Sequence, residues 1–224
     1  MTPRKKPDSP HRLATRAFGI FFLLAFISYG AGSTMVADIA ESADGLAGVF
    51  ANKTTLTLGF ILMAVIHSFF TIGLAVIMLP ILKPHNKTMA YGYFSAAITA
   101  TVVTVIGAMS LLLLVPLSEA YVLAETDAAY FGTLSALLKQ GGFYGYQLGM
   151  TLWGLGGLMF CHLLFISKLV PRVFPIWGFA GYVIFITGTI GEIFGYPIGL
   201  LLSAPGGLFE IALSLWLIVK GPKT

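Results

Sequence analysis

Six runs of apolar residues, each long enough to cross a bilayer, decide what this chain can fold into: 17–37, 55–82, 90–116, 143–167, 173–195 and 199–220. A spanning helix needs roughly 20 apolar residues. Hydrocarbon offers no partner for a backbone N–H or C=O, so a spanning segment must be a helix or part of a closed barrel. Barrel strands would read as short runs of alternating polarity, and the sequence has none. Leu, Ile, Phe, Val, Ala and Gly fill the runs all round without a polar stripe, which excludes helices lying on the membrane surface. Only 10% of residues are charged, against roughly a quarter in a soluble domain. The predicted fold is all-α, a polytopic integral membrane protein built as a bundle of six transmembrane helices. A basic tail at 1–16 precedes the membrane domain at 17–220, and a short tail follows at 221–224.

Lysine and arginine give this bundle a direction. With the N-terminus inside, the cytoplasmic side carries Arg4, Lys5, Lys6, Arg12, Arg16, Lys83, Lys87, Lys168, Arg172, Lys220 and Lys223, and the other side only Lys53 and Lys139. The acids Asp38, Glu41, Asp44, Glu119, Glu125 and Asp127 fall on the outer side. This distribution predicts a multi-pass protein of the cell (inner) membrane with both termini cytoplasmic. The basic start followed by an apolar run resembles a signal peptide, with small residues at Val36-Ala37-Asp38-Ile39-Ala40. The run is long enough to span, however, and is read as a retained first helix.

Two outer loops have some length. The first, about 38–54, is small and acidic. The second, about 117–142, places Tyr130, Leu134, Leu137 and Leu138 at helical spacing, predicting an interfacial helix or an extension of the neighbouring span. Pro84 and Pro171 mark short inner turns. The sequons Asn52-Lys53-Thr54 and Asn86-Lys87-Thr88 are read as chance, since the second would be cytoplasmic. No residue-level repeat relates the first three spans to the last three.

Few polar groups lie within the spans. Glu210 is foremost, because a carboxyl deep in a bilayer costs several kcal/mol unless it is paired, protonated or wet. A packing residue that is protonated or bonded to a Tyr or Ser of another helix is the preferred reading, and a proton-relay or cation-binding group the alternative. Pro205-Gly206-Gly207 precedes it by about one turn. Either Ser203 caps a helix beginning there, with proline in its first turn, or the span breaks at depth around a ligand or cavity; the helix start is favoured. His67 lies near the middle of the second span and His162 near the inner end of the fourth. Their depths differ by roughly 10 Å or more at 1.5 Å per residue, which argues against a bis-histidine haem. His67 and Glu210 are closer in depth and could pair, although a core histidine bonded to backbone or water is the preferred reading. Tyr144, Tyr146 and Gln147 sit at the outer mouth of the fourth span, where an anchoring belt is expected; with Glu192, read as an interfacial carboxylate, and Tyr196 they could also form an outer vestibule.

Gly141, Gly145 and Gly149, and again Gly191, Gly195 and Gly199, recur every fourth residue. Such spacing lets helix backbones approach closely. Tight packing of the fourth and fifth spans within the bundle is expected, with a dimer face as the alternative. Cys161 stands alone, so no disulfide or cysteine metal site forms within one chain. No phosphate-binding glycine loop, nucleophile elbow or His-Glu-x-x-His helix occurs, so no enzymatic activity, cofactor, metal or nucleic-acid partner is expected. Three function classes remain: transport of a small solute or proton through an intramembrane Glu210/His67 site, a non-catalytic accessory, sensor or assembly module, and third, with only the histidines behind it, a membrane enzyme or cofactor carrier. The second would bind another copy or another membrane protein through glycine-rich faces.

Three stretches support a family resemblance. The fourth span carries Trp153-Gly154, the turn after it reads Ser167-Lys168-Leu169-Val170-Pro171-Arg172, and the last span runs from Glu210 through Leu215-Trp216 to Lys220-Gly221. From the fourth span onward the chain resembles the bacterial domain-of-unknown-function family 4386. The first half is similar only in layout. Pro175 stands where relatives commonly have glycine, and His162 where tyrosine is usual, which weakens any role for His162. The resemblance implies a six-helix inner-membrane protein and assigns no catalytic residues.

Overall fold

The computed structural model describes residues 10–123 and 128–222. The first nine residues of the basic tail, Glu125 and Asp127 of the second outer loop, and Lys223 lie outside the described residues. Helix α1 spans Pro10–Ala40, α2 Gly45–Ala51 and α3 Lys53–Phe60. A π-helical segment, Ile61–Ile66, then leads directly into α4, His67–Leu82. Helices α5 (Lys87–Leu112), α6 (Leu114–Leu123), α7 (Ala128–Ser167), α8 (Val173–Ile193) and α9 (Gly199–Val219) complete the chain. Grouped by continuity, these give six helices long and apolar enough to cross a membrane. The protein is a multi-pass membrane protein.

The spans form a closed ring. Each packs chiefly on its neighbours in sequence, and α9 returns to α1. The Arg12 side chain lies against Gly221, so the ends of the first and last spans share one end of the ring. At that end the ring is solid, with Phe18, Leu74, Met78, Phe160, Leu163, Phe209 and Leu213 among its buried core. At the opposite end Ile39, Leu46, Val49, Leu56, Leu114 and Leu117 form a second cluster. Leu134 and Leu138 pack onto it while Tyr130 and Leu137 stay exposed, so this stretch extends the fourth span. At 40 residues α7 is about 60 Å long, twice the roughly 30 Å of hydrocarbon.

Glycine closes the seams, and the first of the four-residue repeats is one of the tight packing faces. Gly145 lies directly against the Gly107 backbone, and a Cβ on Gly107 would stand 2.9 Å from the Gly145 Cα. A Cβ on Gly149 would stand 3.1 Å from the Ala100 carbonyl oxygen. These glycines therefore pack the fourth span on the third, not on the fifth. Equivalent contacts join Gly59 to Gly32 and Gly181 to Gly206. In lipid such close approach gives dispersion contacts that no hydrophobic drive would otherwise supply. Gly191 meets only Ile198 and Tyr196 of its own hairpin, and Gly195 has φ +87° in the turn. The second repeat is thus hairpin geometry, with Gly195 supplying a left-handed turn that other residues adopt at a cost.

The last span neither begins at Ser203 nor breaks at Pro205. Helix α9 starts at Gly199, whose N–H donates to Glu192 Oε1 at 2.7 Å. A carboxylate from the preceding span thus satisfies one of the helix's orphan donors. Ser203 instead donates to its own helix, Oγ to the Leu200 carbonyl at 2.7 Å. Pro205 sits within the continuous helix, and its carbonyl accepts the Trp177 indole N–H at 3.1 Å.

Candidate functional site

Between the solid end and the opposite cluster, the ring encloses a cavity of about 250 Å³. Every span contributes to its wall. Glu210 and His67 both line it, so the two singled out by depth face one space without touching.

Glu210 is only 7% exposed. Tyr182 donates its hydroxyl to Glu210 Oε1 at 2.6 Å, and the Trp153 indole N–H reaches the same oxygen at 3.0 Å. Among the described residues nothing donates to Oε2, and no lysine or arginine lines the cavity. Two donors therefore orient the carboxyl and leave its second oxygen to whatever occupies the space. Ser214 Oγ donates to the Glu210 backbone carbonyl at 2.7 Å, tying the same turn together.

His67 Nδ1 lies 3.1 Å from the Ala25 carbonyl oxygen of α1. A carbonyl only accepts, so Nδ1 carries the hydrogen and Nε2 is free to accept or take a proton. The preferred reading of a backbone-bonded histidine describes this contact, and the direct His67–Glu210 pair does not form. The π segment ending at Ile66 sets the direction of His67, since a π turn displaces the residues after it relative to an α-helix and recurs at functional sites. The Thr71 and Thr101 hydroxyls, 3.2 Å apart, add polar groups to the wall.

Aromatic rings make up much of the rest. Phe22, Tyr29, Tyr146, Trp153, Tyr182 and Phe185 line the same space. Tyr29 and Tyr146 stack with centroids 5.6 Å apart, and His67 meets the Tyr29 ring at 5.0 Å. This tyrosine pair also borders a second cavity of about 240 Å³, which reaches Glu41 and Lys139 at the end of the ring opposite the termini. The second cavity is a vestibule, and the stacked tyrosines separate it from the Glu210 chamber. At its rim Lys139 Nζ lies 3.6 Å from Glu41. Lys53 pairs with Glu119 at 2.7 Å. Both lysines that broke the charge asymmetry therefore face carboxylates.

The remaining candidates lie elsewhere. His162 and Tyr144 are exposed on the outside of the bundle, and Gln147 is buried but lines neither cavity. Glu192 serves the α8–α9 hairpin and Tyr196 is exposed, so the vestibule imagined around them is not assembled. Among the described residues no three His, Cys, Asp or Glu side chains converge as metal ligands.

Sequence reasoning missed Tyr182 and Tyr29. The signal was available, because a tyrosine at mid-span, away from the interfacial belts, needs a buried partner for its hydroxyl. Trp153, noted only as part of a motif, turns out to bond the other motif residue, Glu210.

A family model described as "Domain of unknown function (DUF4386)" matches residues 17–221. The chain belongs to the DUF4386 family. Comparison with curated proteins and with solved structures gave no match. The match covers the whole membrane domain of this DUF4386 chain, including every residue named in the chamber wall.

Proposed function

We propose that this DUF4386 protein is a proton-linked carrier of a small solute, with Glu210 as the group that exchanges proton for solute. The observation that carries this reading is the bare Oε2 of a buried carboxyl, facing a chamber inside a ring of spans. A carboxyl in that position is costly unless something pairs with it, and a mobile proton or solute meets the need. His67 Nε2, on the same wall, is the second proton acceptor. The chamber's size limits the cargo. An engineered cavity of roughly 150 Å³ admits benzene, so about 250 Å³ suits one small organic molecule.

The charge asymmetry orients the carrier with both termini in the cytoplasm of a cell whose inner membrane it spans. The vestibule then faces outward, and the solid core closes the cytoplasmic side, giving an outward-facing state of an alternating-access cycle. In this reading the protein is no enzyme, and its partners are the bilayer, the solute and the proton. The accessory-module reading loses its proposed surface, because Gly145 and Gly149 are spent on α5 and Gly191 and Gly195 on a hairpin.

The test is flux. Wild-type protein in liposomes bearing a pH gradient should acidify or alkalinise the lumen when solute is supplied, and Glu210→Gln should stop it. Equal fluxes for wild type and Glu210→Gln would sink the proposal.

A further inference from the structure

The chemistry of the chamber specifies its cargo more narrowly than its size does. Resting on the carrier reading, we propose that the Glu210 chamber binds a small organic cation with an alkylated ammonium head. One buried carboxylate oxygen is bare, and no lysine or arginine among the described residues lines the wall. With His67 neutral, a cation is therefore the one ligand type that finds an opposite charge in the chamber and no like charge. The wall around that oxygen is aromatic, with Phe22, Tyr29, Tyr146, Trp153, Tyr182 and Phe185. Aromatic faces attract alkylammonium groups, which shed water more readily than a metal ion and fill space with methyl groups. A sodium or potassium ion would ask instead for several oxygens at once. Thr71, Thr101 and Thr104 line the chamber and give their hydrogens to helix carbonyls, at 3.1, 2.8 and 2.9 Å respectively, so beside the carboxylate they offer only neutral hydroxyl lone pairs to replace the ion's waters.

The head could arrive as a free solute or on a lipid. Gly30 and Gly207 both line the chamber, and a side chain added at either would meet nothing within 4 Å. Gly30 is exposed, so the wall between the first and last spans is thin there, and the test must separate the two sources.

The probe is radiolabelled choline, measured by equilibrium binding to purified full-length protein in phosphatidylglycerol nanodiscs. Its neutral carbon isostere, 3,3-dimethylbutan-1-ol, serves as competitor. Choline should bind, and the isostere should compete at least about tenfold more weakly, as expected for a desolvated cation–π and carboxylate site. Glu210→Gln should lose choline binding by about 30-fold or more while keeping a wild-type thermal transition. Phe185→Leu, which keeps apolar volume without a π face, should weaken choline severalfold and leave the isostere unchanged. Adding phosphatidylcholine to the discs assigns the source: displacement of choline identifies a lipid head, and no displacement a free solute. Equal competition by the neutral isostere overturns the cation proposal while leaving a binding chamber in place. Absence of choline binding overturns it too, and the carrier reading then stands or falls on the separate flux assay.

Discussion

The end of the ring near the termini and the stretch midway along it are built from the same kind of residue and do opposite things. Near the termini, Phe18, Phe160 and Tyr93 stack in series, with centroids 5.5 and 5.1 Å apart, and fill the axis. Midway along, Phe22, Tyr146 and Phe185 line a space they do not fill. The difference lies in what surrounds the rings. The filled end pairs its aromatics with Met78, Leu82, Leu163 and Leu213. The hollow stretch pairs them with glycine, alanine and threonine, namely Gly206, Gly207, Ala100, Thr101 and Thr104. Small residues opposite large rings leave volume, and the single carboxyl sits where that volume is. Aromatic content does not distinguish core from site; the size of the partner does.

Substitutions should separate the two regions sharply. The largest effect is expected at a seam. Gly145→Leu drives a side chain into the Gly107 backbone, which cannot swing aside, and should cost about 3 kcal/mol or more. Gly207→Leu, a matching change facing open space, should leave the melting temperature nearly unchanged while reducing choline capacity. Thermal unfolding in detergent, followed by monodispersity, reads both. If Gly207→Leu is the more destabilising, the chamber is not open there. Next comes the filled end. Phe160→Ala removes a ring that is 2% exposed and should cost roughly 3–5 kcal/mol, with binding intact in whatever fraction folds. Tyr182→Phe should cost less, about 1–3 kcal/mol, because only one donor to Glu210 Oε1 is lost. It should perturb flux more than its stability effect predicts.

The fold was legible and the chamber only partly so, for a physical reason. Spanning helices announce themselves through length and apolarity, which are local, and all six appear close to their expected bounds. The fourth span reaches back to Ala128 instead of 143, because Leu134 and Leu138 bury against α6 and the end of α1. Charge in the loops is equally local. The chamber is not local. Glu210 was conspicuous because a lone mid-span carboxyl is rare, yet its partners Trp153 and Tyr182 come from two other spans, and nothing in one sequence states which helix faces which. Ser203 looked like a cap because Ser-x-Pro reads as a helix start. The real cap, Glu192, comes from across the hairpin, seven residues back. Gly107 escaped notice because its partner, Gly145, repeats while it does not.

The stacked tyrosines between vestibule and chamber give a finer comparison. Tyr146→Ala removes a ring contact of roughly 0.5–1.5 kcal/mol and opens the passage to the vestibule. Choline association should quicken, with little change in melting temperature. Stopped-flow quenching of tryptophan fluorescence measures it, and an unchanged association rate would mean that access runs by another path, such as the thin wall at Gly30.

The smallest expected effect lies at the rim, where Glu41 and Lys139 stand 3.6 Å apart. Glu41 has 71% of its side chain exposed, so the pair should contribute at most about 1 kcal/mol to stability, and water and salt screen it further. Its charges nevertheless sit at the mouth of the vestibule and act on an approaching cation in opposite senses. Glu41→Gln should slow choline association and Lys139→Gln should speed it, each by about twofold at low salt, with dissociation unaffected. Raising the ionic strength should erase both changes, because the interaction is long-range and solvent-exposed. Two substitutions of opposite sign guard against a trivial cause, since damage to the fold would slow association in both. If both slow it, the rim is structural; if neither changes it, the cation does not pass between Glu41 and Lys139.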